Sequence, residues 1–190
     1  AGRAITISQA AAKDYSKDIL GLETVGNITD DAFAVVNDPD VEIIIELIGG
    51  YSPALELVMK AIENGKHVVT ANKALIATHG NEIFAAAQAK GVTVAFEAAV
   101  AGGIPIIKAV REGLAANQIE WAAGIINGTS NFILSEMLLK SRDFDDVLAE
   151  AQALGYAEAN PEFDIEGVDA AHKLTILSSI AFGIPLQFDK

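Results

Sequence analysis

Short β-branched runs alternate with longer amphipathic stretches over the first half of the chain. The run VEIIIELI at 41–48 has the continuous apolar character of a strand buried in a parallel sheet. Strands and helices that alternate with short connections are typical of a doubly wound parallel sheet. The predicted strands are 4–12, 41–48, 66–70 and 92–96. The predicted helices are 29–37, capped by Thr29, 53–64, capped by Ser52, and 81–90. A short loop or helix is predicted at 72–77.

The second half of the chain has a different rhythm, in which helices dominate. QIEWAAGIIN at 118–127 shows the mixed alternation of a strand. We therefore predict an α/β protein, with a doubly wound parallel sheet at 1–97 and an incomplete α+β domain at 98–190. The predicted helices of the second domain are 104–113, 131–140, 143–154 and a long last one that starts at 162 or 165 and ends at 182.

Composition is that of a globular protein and excludes several partners. Of the 190 residues, 51% are hydrophobic and 21% are charged, which is enough apolar material for a sizeable core. The 13 basic and 26 acidic residues give a net charge of −13, which argues against nucleic acid or an anionic membrane surface as a partner. The absence of cysteine excludes disulfides and thiolate chemistry. Because no signal peptide or membrane-spanning run is visible, we expect a cytoplasmic protein.

The stretch AQALGYAEANPEFDIEGVDAAHK at 151–173 combines many charges with turn-forming residues. Gly155 is predicted to stop a helix and Pro161 disfavours helix before it, so a loop is expected here. Asp169 and Lys173 follow, four residues apart at the start of a long apolar run, and therefore share one face of a helix. Residue types alone allow either half of a functional site or an exposed ion pair worth about 0.3 kcal/mol.

Ligands of doubly wound sheets bind beyond the carboxyl ends of the strands, and this sequence has glycines and a lysine there. Gly49 and Gly50 follow the strand at 41–48 and precede a helix, which suits a phosphate or a nicotinamide, although a simple turn has the same signature. Lys73 follows the strand at 66–70, either as a cation for a substrate or cofactor or as a solvated side chain.

Glu97 ends an apolar strand, where a carboxylate is costly to bury without a partner. The carbonyl groups of Val100, Gly102 and Ile104 follow in a kinked loop and, with Glu97, offer oxygen ligands for a hard cation. A hydrogen-bonded carboxylate without a metal is the alternative. Elsewhere the histidines lack metal-ligand spacing, and the dinucleotide-binding fingerprint GxGxxG is absent.

Four segments resemble homoserine dehydrogenases. VVTANKALIA at 68–77, FEAAVAGGIPII at 96–107 and GIINGTSNFIL at 124–134 are similar to blocks of that family. The most specific match is the family signature, which the stretch at 151–173 meets without departure. So many spaced positions favour membership of the family over chance. The matching residues are Ala151, Gly155, Tyr156, Ala157, Asn160, Pro161, Asp164, Ile165, Gly167, Asp169 and Lys173.

The resemblance implies interconversion of L-homoserine and L-aspartate 4-semialdehyde with NAD or NADP, in threonine and methionine biosynthesis. By family analogy Lys173 is the proton donor and acceptor at the substrate oxygen, and Asp169 orients that lysine and contacts the substrate. Glu158 would bind the ammonium group of the substrate, and Asp164 would support the loop or the substrate. Lys73 would lie between cofactor and substrate.

The same resemblance implies a cofactor site, a cation site and an assembly. The domain at 1–97 would be a partial NAD(P)-binding Rossmann-like domain, and 98–190 a partial catalytic and dimerisation domain, in a homodimer or higher homo-oligomer. The residues implied for the cofactor are Gly49, Gly50, Lys73 and Gly155. Those implied for a monovalent cation, sodium, are Glu97 and the carbonyls of Val100, Gly102 and Ile104.

Relative to the family pattern, the first strand and its glycine-rich turn fall upstream of Ala1, and later strands fall beyond Lys190. We therefore expect a fragment whose activity in isolation is weakened or lost. Lys13 and Asp14, near the end of a strand, offer both a cation and an acid, which leaves NAD and NADP both open.

Two other functions are alternatives to this one. The first is another NAD(P)-dependent dehydrogenase with an appended α+β domain, acting on semialdehydes or sugar acids, which the lack of cysteine disfavours. The second is a non-catalytic NAD(P)-fold binding or regulatory module, which the intact set of Glu158, Asp169 and Lys173 disfavours.

Overall fold

The computed structural model describes Gly2, residues 4–13 and residues 25–190, so Asp14 lies outside the described residues. The chain forms two compact units. One combines the residues up to Leu75 with His79–Phe96, and the other combines Ile76–Thr78 with Glu97–Lys190. Within the described part of the chain, no helix has the length and apolar content needed to cross a membrane.

The first unit is built on parallel strands. Its elements are β1 (Gln9–Ala11), β2 (Asn27–Thr29), α1 (Ala32–Asn37), β3 (Ile43–Glu46), α2 (Ala54–Glu63), β4 (His67–Thr70), α3 (Lys73–Lys90) and β5 (Val94–Ala95). β1 pairs with β2, and a second sheet has the order β3-β4-β5, with every pairing parallel. Because α2 and α3 each connect two neighbouring parallel strands, the predicted α/β class is confirmed.

The register of the second sheet brings the carboxyl ends of β3 and β4 level, with Glu46 opposite Thr70. Side chains alternate along β3, so that Ile44 is buried on one face while Ile43 and Ile45 on the other face are 48% and 61% exposed. α2 packs against both strands, and its buried residues recur at helical spacing. Those residues are Ala54, Leu57, Val58, Ala61 and Ile62.

Two predicted helix caps of the first unit are wrong. Asp31 rather than Thr29 caps α1, because the Asp31 side chain accepts a hydrogen bond from Ala34 N over 3.0 Å. Thr29 is instead the last residue of β2. Aspartate caps at least as well as threonine, so residue type did not separate them. Ser52 makes no cap bond to the start of α2, and its hydroxyl contacts Glu56 instead, over 3.2 Å.

The prediction of separate segments at 72–77 and 81–90 is also wrong, because α3 is one continuous helix that runs through Gly80. A glycine inside a helix costs about 1 kcal/mol relative to alanine. Burial of apolar side chains on both sides of the glycine, such as Ile76 and Ile83, offsets that cost.

The second unit is helical. Its larger part, Glu97–Lys190, begins with a single 3₁₀ turn at Glu97–Ala99. The helices that follow are α4 (Ile106–Lys108), which continues as a π-helical turn at Ala109–Gly113, α5 (Gly128–Lys140), α6 (Phe144–Ala153), α7 (Glu162–Ile165) and α8 (Val168–Phe182). Gly167, with φ 78°, separates α7 from α8, so the last predicted helix is two helices. A core between α5, α6 and the following loop is formed by Ile133, Val147, Ala151 and Ala157.

The strand predicted at 118–127 is not formed. This segment is irregular, and Trp121 and Ile125 within it are 75% and 76% exposed. An alternating pattern shows that a segment can serve as a strand, but a strand also needs a neighbour that satisfies its backbone hydrogen bonds. Residues 97–190 contain no second strand that could pair with it.

Candidate active site

The start of α8 holds an aspartate and a lysine in contact with each other. Lys173 Nζ donates to Asp169 Oδ2 over 2.6 Å and to the carbonyl oxygen of Ile126 over 2.8 Å. Asp169 is only 5% exposed, so the pair is not the solvated surface ion pair that its spacing also allowed. Loss of one partner would leave the other charge buried and uncompensated, so the two side chains stabilise each other.

Asn127 connects this pair to two further helices. Its side-chain nitrogen donates to Asp169 Oδ2 and to Asp164 Oδ1, each over 2.8 Å. Its side-chain oxygen accepts from Ser130 N over 2.7 Å and so caps α5, a role in which asparagine is among the favoured residues. Asp164, Asp169 and Lys173 are thereby brought together in one hydrogen-bonded network.

The loop between α6 and α7 carries Gly155 and Glu158. Gly155, with φ 76°, adopts the left-handed conformation that ends a helix without cost to a side chain. The loop backbone is fixed by Thr129 Oγ1, which donates to the carbonyl of Tyr156 over 2.7 Å, and by Gln152 Nε2, which donates to the carbonyl of Glu158 over 3.1 Å. Since the Glu158 side chain is exposed, its carboxylate is accessible to a ligand.

A buried carboxylate lies at the strand ends of the first unit. Glu46, the last residue of β3, is 3% exposed. Its Oε1 accepts from the backbone N–H groups of Ile48 and Gly49 over 2.7 and 3.1 Å, and its Oε2 accepts from Thr70 Oγ1 over 2.6 Å. The glutamate therefore holds the turn after β3 and ties it to the end of β4.

Asn72 extends this network to α3. Its side-chain nitrogen donates to the carbonyl of Gly50 over 2.7 Å, and its side-chain oxygen caps α3 by accepting from Leu75 N over 3.1 Å. Gly49 and Gly50 have φ values of 79° and 67°, a region that favours glycine. Lys73 is the first residue of α3 and is half-buried. The predicted residues Gly49, Gly50 and Lys73 thus follow the carboxyl ends of β3 and β4, which lie level in the sheet.

Glu46 bears on which ligand the glycine turn suits. The amide groups of Ile48 and Gly49 already bind its carboxylate, so they are not directed at a phosphate. A phosphate close to Glu46 would also meet a like charge. A group without negative charge, such as a nicotinamide, therefore fits this turn better than a phosphate does.

Glu97 is hydrogen-bonded within its own unit. Its two carboxylate oxygens accept from Ile107 N and Lys108 N, each over 2.9 Å, at the start of α4. The hydrogen-bonded carboxylate that the sequence allowed is therefore present. Each carboxylate oxygen has a second lone pair, so these bonds leave acceptor capacity for a cation.

The loop that follows Glu97 bends sharply. Ala101 and Gly103 have φ values of 51° and 82°, and the first of these is rare for a residue with a side chain. Val100 is buried, whereas Gly102 and Ile104 are exposed. Because the described residues contain no cluster of three or more His, Cys, Asp or Glu suited to a metal, a cation here would depend on backbone carbonyls.

Sequence reasoning missed two residues that hold these networks together. Glu46 stands between the apolar residues at 43–45 and 47–48, and a carboxylate in such a position signals a buried partner. Asn127 precedes Gly-Thr-Ser at the start of a predicted helix, which is an N-cap signal. Neither signal reveals the other groups that each side chain contacts.

The parallel sheet and glycine turn place the first unit in the Rossmann-like class of NAD-binding domains. Residues 2–97 match the family model described as the homoserine dehydrogenase NAD binding domain, and residues 105–190 match the homoserine dehydrogenase family model. The chain therefore belongs to the homoserine dehydrogenase family, as the resemblance predicted.

Individual relatives agree with this assignment. A homoserine dehydrogenase from Pseudomonas aeruginosa is 70% identical over 190 residues, which is 100% of this chain and 43% of that protein. The crystal structure of a homoserine dehydrogenase from Thiobacillus denitrificans matches with a TM-score of 0.89 and 69% identity over 95% of this chain and 42% of that one. A hyperthermophilic archaeal homoserine dehydrogenase in complex with NADPH matches with a TM-score of 0.75 and 31% identity over 83% of this chain and 49% of that one. The chain thus spans less than half the length of these relatives.

Proposed function

We propose that the full-length protein interconverts L-homoserine and L-aspartate 4-semialdehyde with NAD or NADP, as a step in threonine and methionine biosynthesis. The observation that carries this proposal is the buried pair of Asp169 and Lys173, which lies in the family signature and is fixed by Ile126 and Asn127. A lysine held beside a carboxylate at a helix start suits transfer of one proton to or from a substrate oxygen.

The cofactor supplies the hydride chemistry, so the protein must orient the substrate and handle one proton. Lys173 as the neutral amine takes the proton from the homoserine hydroxyl during oxidation, and as the ammonium it gives a proton to the aldehyde oxygen during reduction. Asp169 orients the ammonium group of Lys173 and contacts the substrate. Glu158 binds the substrate ammonium, and Asp164 supports both the loop and the substrate.

The residues proposed for the cofactor are Gly49, Gly50, Lys73 and Gly155. The network around Glu46 supports a part of the cofactor without negative charge, such as the nicotinamide, at the glycine turn. The archaeal relative that was solved with NADPH supports NADP as one cofactor of this family. NAD is the other cofactor that this chain could use, because the chain offers both a cation and an acid near Lys13.

The domain at 1–97 is the partial cofactor-binding domain, and that at 98–190 is the partial catalytic and dimerisation domain. The family-model matches at 2–97 and 105–190 support this division. The full-length protein is a cytoplasmic homodimer or higher homo-oligomer.

A direct test measures NADPH oxidation with L-aspartate 4-semialdehyde, for the full-length protein beside the present segment. Activity of the full-length protein, with weaker or no activity of the segment, is the expected result. If the full-length protein binds NADPH but turns over no semialdehyde, the alternative of a non-catalytic NAD(P)-fold module is favoured instead. Turnover of another semialdehyde or of a sugar acid alone would favour the rival dehydrogenase class.

Replacing Glu158 by glutamine is expected to raise KM for L-homoserine about 10- to 100-fold, because the charge-assisted hydrogen bond to the substrate ammonium is replaced by one to a neutral amide. The value of kcat should change much less, since the proton-transfer groups are untouched. The matched control is Glu166→Gln, which alters another exposed glutamate of the same region. Equal KM values for the two variants would contradict the role assigned to Glu158.

The loop after Glu97 is proposed to bind sodium through that carboxylate and the carbonyls of Val100, Gly102 and Ile104. The unusual backbone of Ala101 supports this, because a bound cation stabilises a strained turn. Replacing NaCl by choline chloride at equal ionic strength should lower the Tm of the full-length protein. The same exchange should have little effect on the Glu97→Gln variant. An identical Tm response of both proteins would argue against the site.

A further inference from the structure

We infer that Asn127 is a positioning residue for the proton transfer, because its carboxamide sets the orientation of the Asp169 carboxylate and, through it, of Lys173. This inference rests on the proposed function and deepens it. The geometry that supports it lies entirely within the second unit, where α5, α7 and α8 meet around one side chain.

One carboxylate oxygen is shared by two donors. Asp169 Oδ2 accepts from Asn127 Nδ2 over 2.8 Å and from Lys173 Nζ over 2.6 Å. The terminal torsion of an aspartate is broad and roughly two-fold, so the Lys173 contact alone does not fix the carboxylate plane. The second donor, on a different helix, restricts that rotation. Asn127 is 8% exposed and Asp169 is 5% exposed, so water has little access to replace either donor.

The carboxamide of Asn127 is itself held in one orientation. Its oxygen accepts from Ser130 N over 2.7 Å, and a flipped amide would present a donor to that N–H group. Its nitrogen has two hydrogens, and the two acceptors that it contacts are Asp164 Oδ1 and Asp169 Oδ2. Every polar atom of the side chain therefore has a partner, which makes Asn127 a rigid support.

The residue before Asn127 acts on the other member of the pair. The carbonyl oxygen of Ile126 accepts from Lys173 Nζ over 2.8 Å. Two consecutive residues ahead of α5 therefore hold the ammonium group and the carboxylate at the same time. A shift of this segment would displace both groups that the proposed reaction requires.

The variant Asn127→Ser separates the cap of α5 from the contact with Asp169. Serine is as good a helix cap as asparagine, so α5 is expected to remain stable. Serine lacks the two amide hydrogens that bind Asp164 and Asp169. The matched control is Asn131→Ser, the same substitution at an exposed position of the same helix.

In the full-length protein, Asn127→Ser is expected to lower kcat about 10- to 100-fold, because a hydrogen bond to a charged group is lost. KM for L-homoserine should change by a smaller factor than kcat, because the proposed ammonium contact at Glu158 is unchanged, while Asp164 and Asp169 each lose only one hydrogen bond. An unaltered kcat overturns the inference. A parallel loss of kcat, substrate affinity and Tm also overturns it, since that pattern indicates a structural role only.

A second measurement does not depend on activity. Acetylation of Lys173 by acetic anhydride, followed by mass spectrometry relative to Lys140, reports how firmly the ammonium group is held. The Lys173 rate is expected to rise about 2- to 10-fold in Asn127→Ser, as one restraining hydrogen bond is lost. An unchanged ratio overturns the inference. If the unmodified protein shows no turnover, the proposed function fails, and the labelling ratio alone decides the role of Asn127.

Discussion

Alanine in place of Lys173 is expected to lower kcat of the full-length protein about 100- to 10,000-fold, the range for loss of a general acid–base group. The substrate oxygen would then have no side chain positioned to take or supply its proton. The free energy of unfolding should also fall, by about 3 kcal/mol, because the buried Asp169 carboxylate loses its counter-charge while it keeps its hydrogen bond from Asn127. Steady-state kinetics in both directions and thermal unfolding measure the two effects separately.

The control for this experiment is Lys140→Ala. Lys140 forms an ion pair with Glu136 at the same i,i+4 spacing, over 2.7 Å, but its side chain is 60% exposed. Such exposed pairs contribute about 0.3–0.5 kcal/mol, so kcat and stability should both remain close to the unmodified protein. If Lys173→Ala behaves like this control in kcat, Lys173 is not the proton-transfer group.

Asp169→Asn is expected to lower kcat about 10- to 100-fold, because the charge-assisted hydrogen bond that orients Lys173 is replaced by a neutral one. The free energy of unfolding should also fall, by about 1–3 kcal/mol, since Lys173 then lies half-buried without its counter-charge. Urea denaturation and kinetics on the same preparation check the two predictions together.

Asp145→Asn provides the comparison for this variant. Asp145, like Asp169, is an aspartate in the first turn of a helix, but it is exposed at the start of α6. Its replacement should lower the free energy of unfolding by about 0.3–1 kcal/mol, because a favourable interaction with the helix dipole is lost, and should leave kcat unchanged. Equal kinetics for the two variants would show that Asp169 contributes only as a helix-dipole charge.

The sequence was sufficient to predict the contact between Asp169 and Lys173, because helical periodicity alone places residues four apart on one face. It was not sufficient to show that the pair is buried, which depends on the packing of other segments. Asn127 illustrates the limit, since its partners Asp164 and Asp169 lie 37 and 42 residues further along the chain. Local pattern identifies Asn127 as a helix cap but carries no information on those contacts.

The same distinction explains the successes and errors in the fold. β3 and β4 could be predicted because buried parallel strands have continuous β-branched runs. α3 could not be predicted as one helix, because Gly80 is unfavourable locally and is tolerated only through burial of its neighbours. The segment at 118–127 has the local pattern of a strand, but residues 97–190 contain no strand that could pair with it.

The exposed face of β3 determines how this segment should behave when it is prepared on its own. Ile43 and Ile45 lie uncovered beside Val69 of β4, which is 38% exposed, so a parallel sheet that is normally covered on both faces has one face open to water. The net charge of −13 keeps such molecules apart only while it is unscreened. The purified segment should therefore self-associate and bind hydrophobic dyes increasingly as sulfate or NaCl is added.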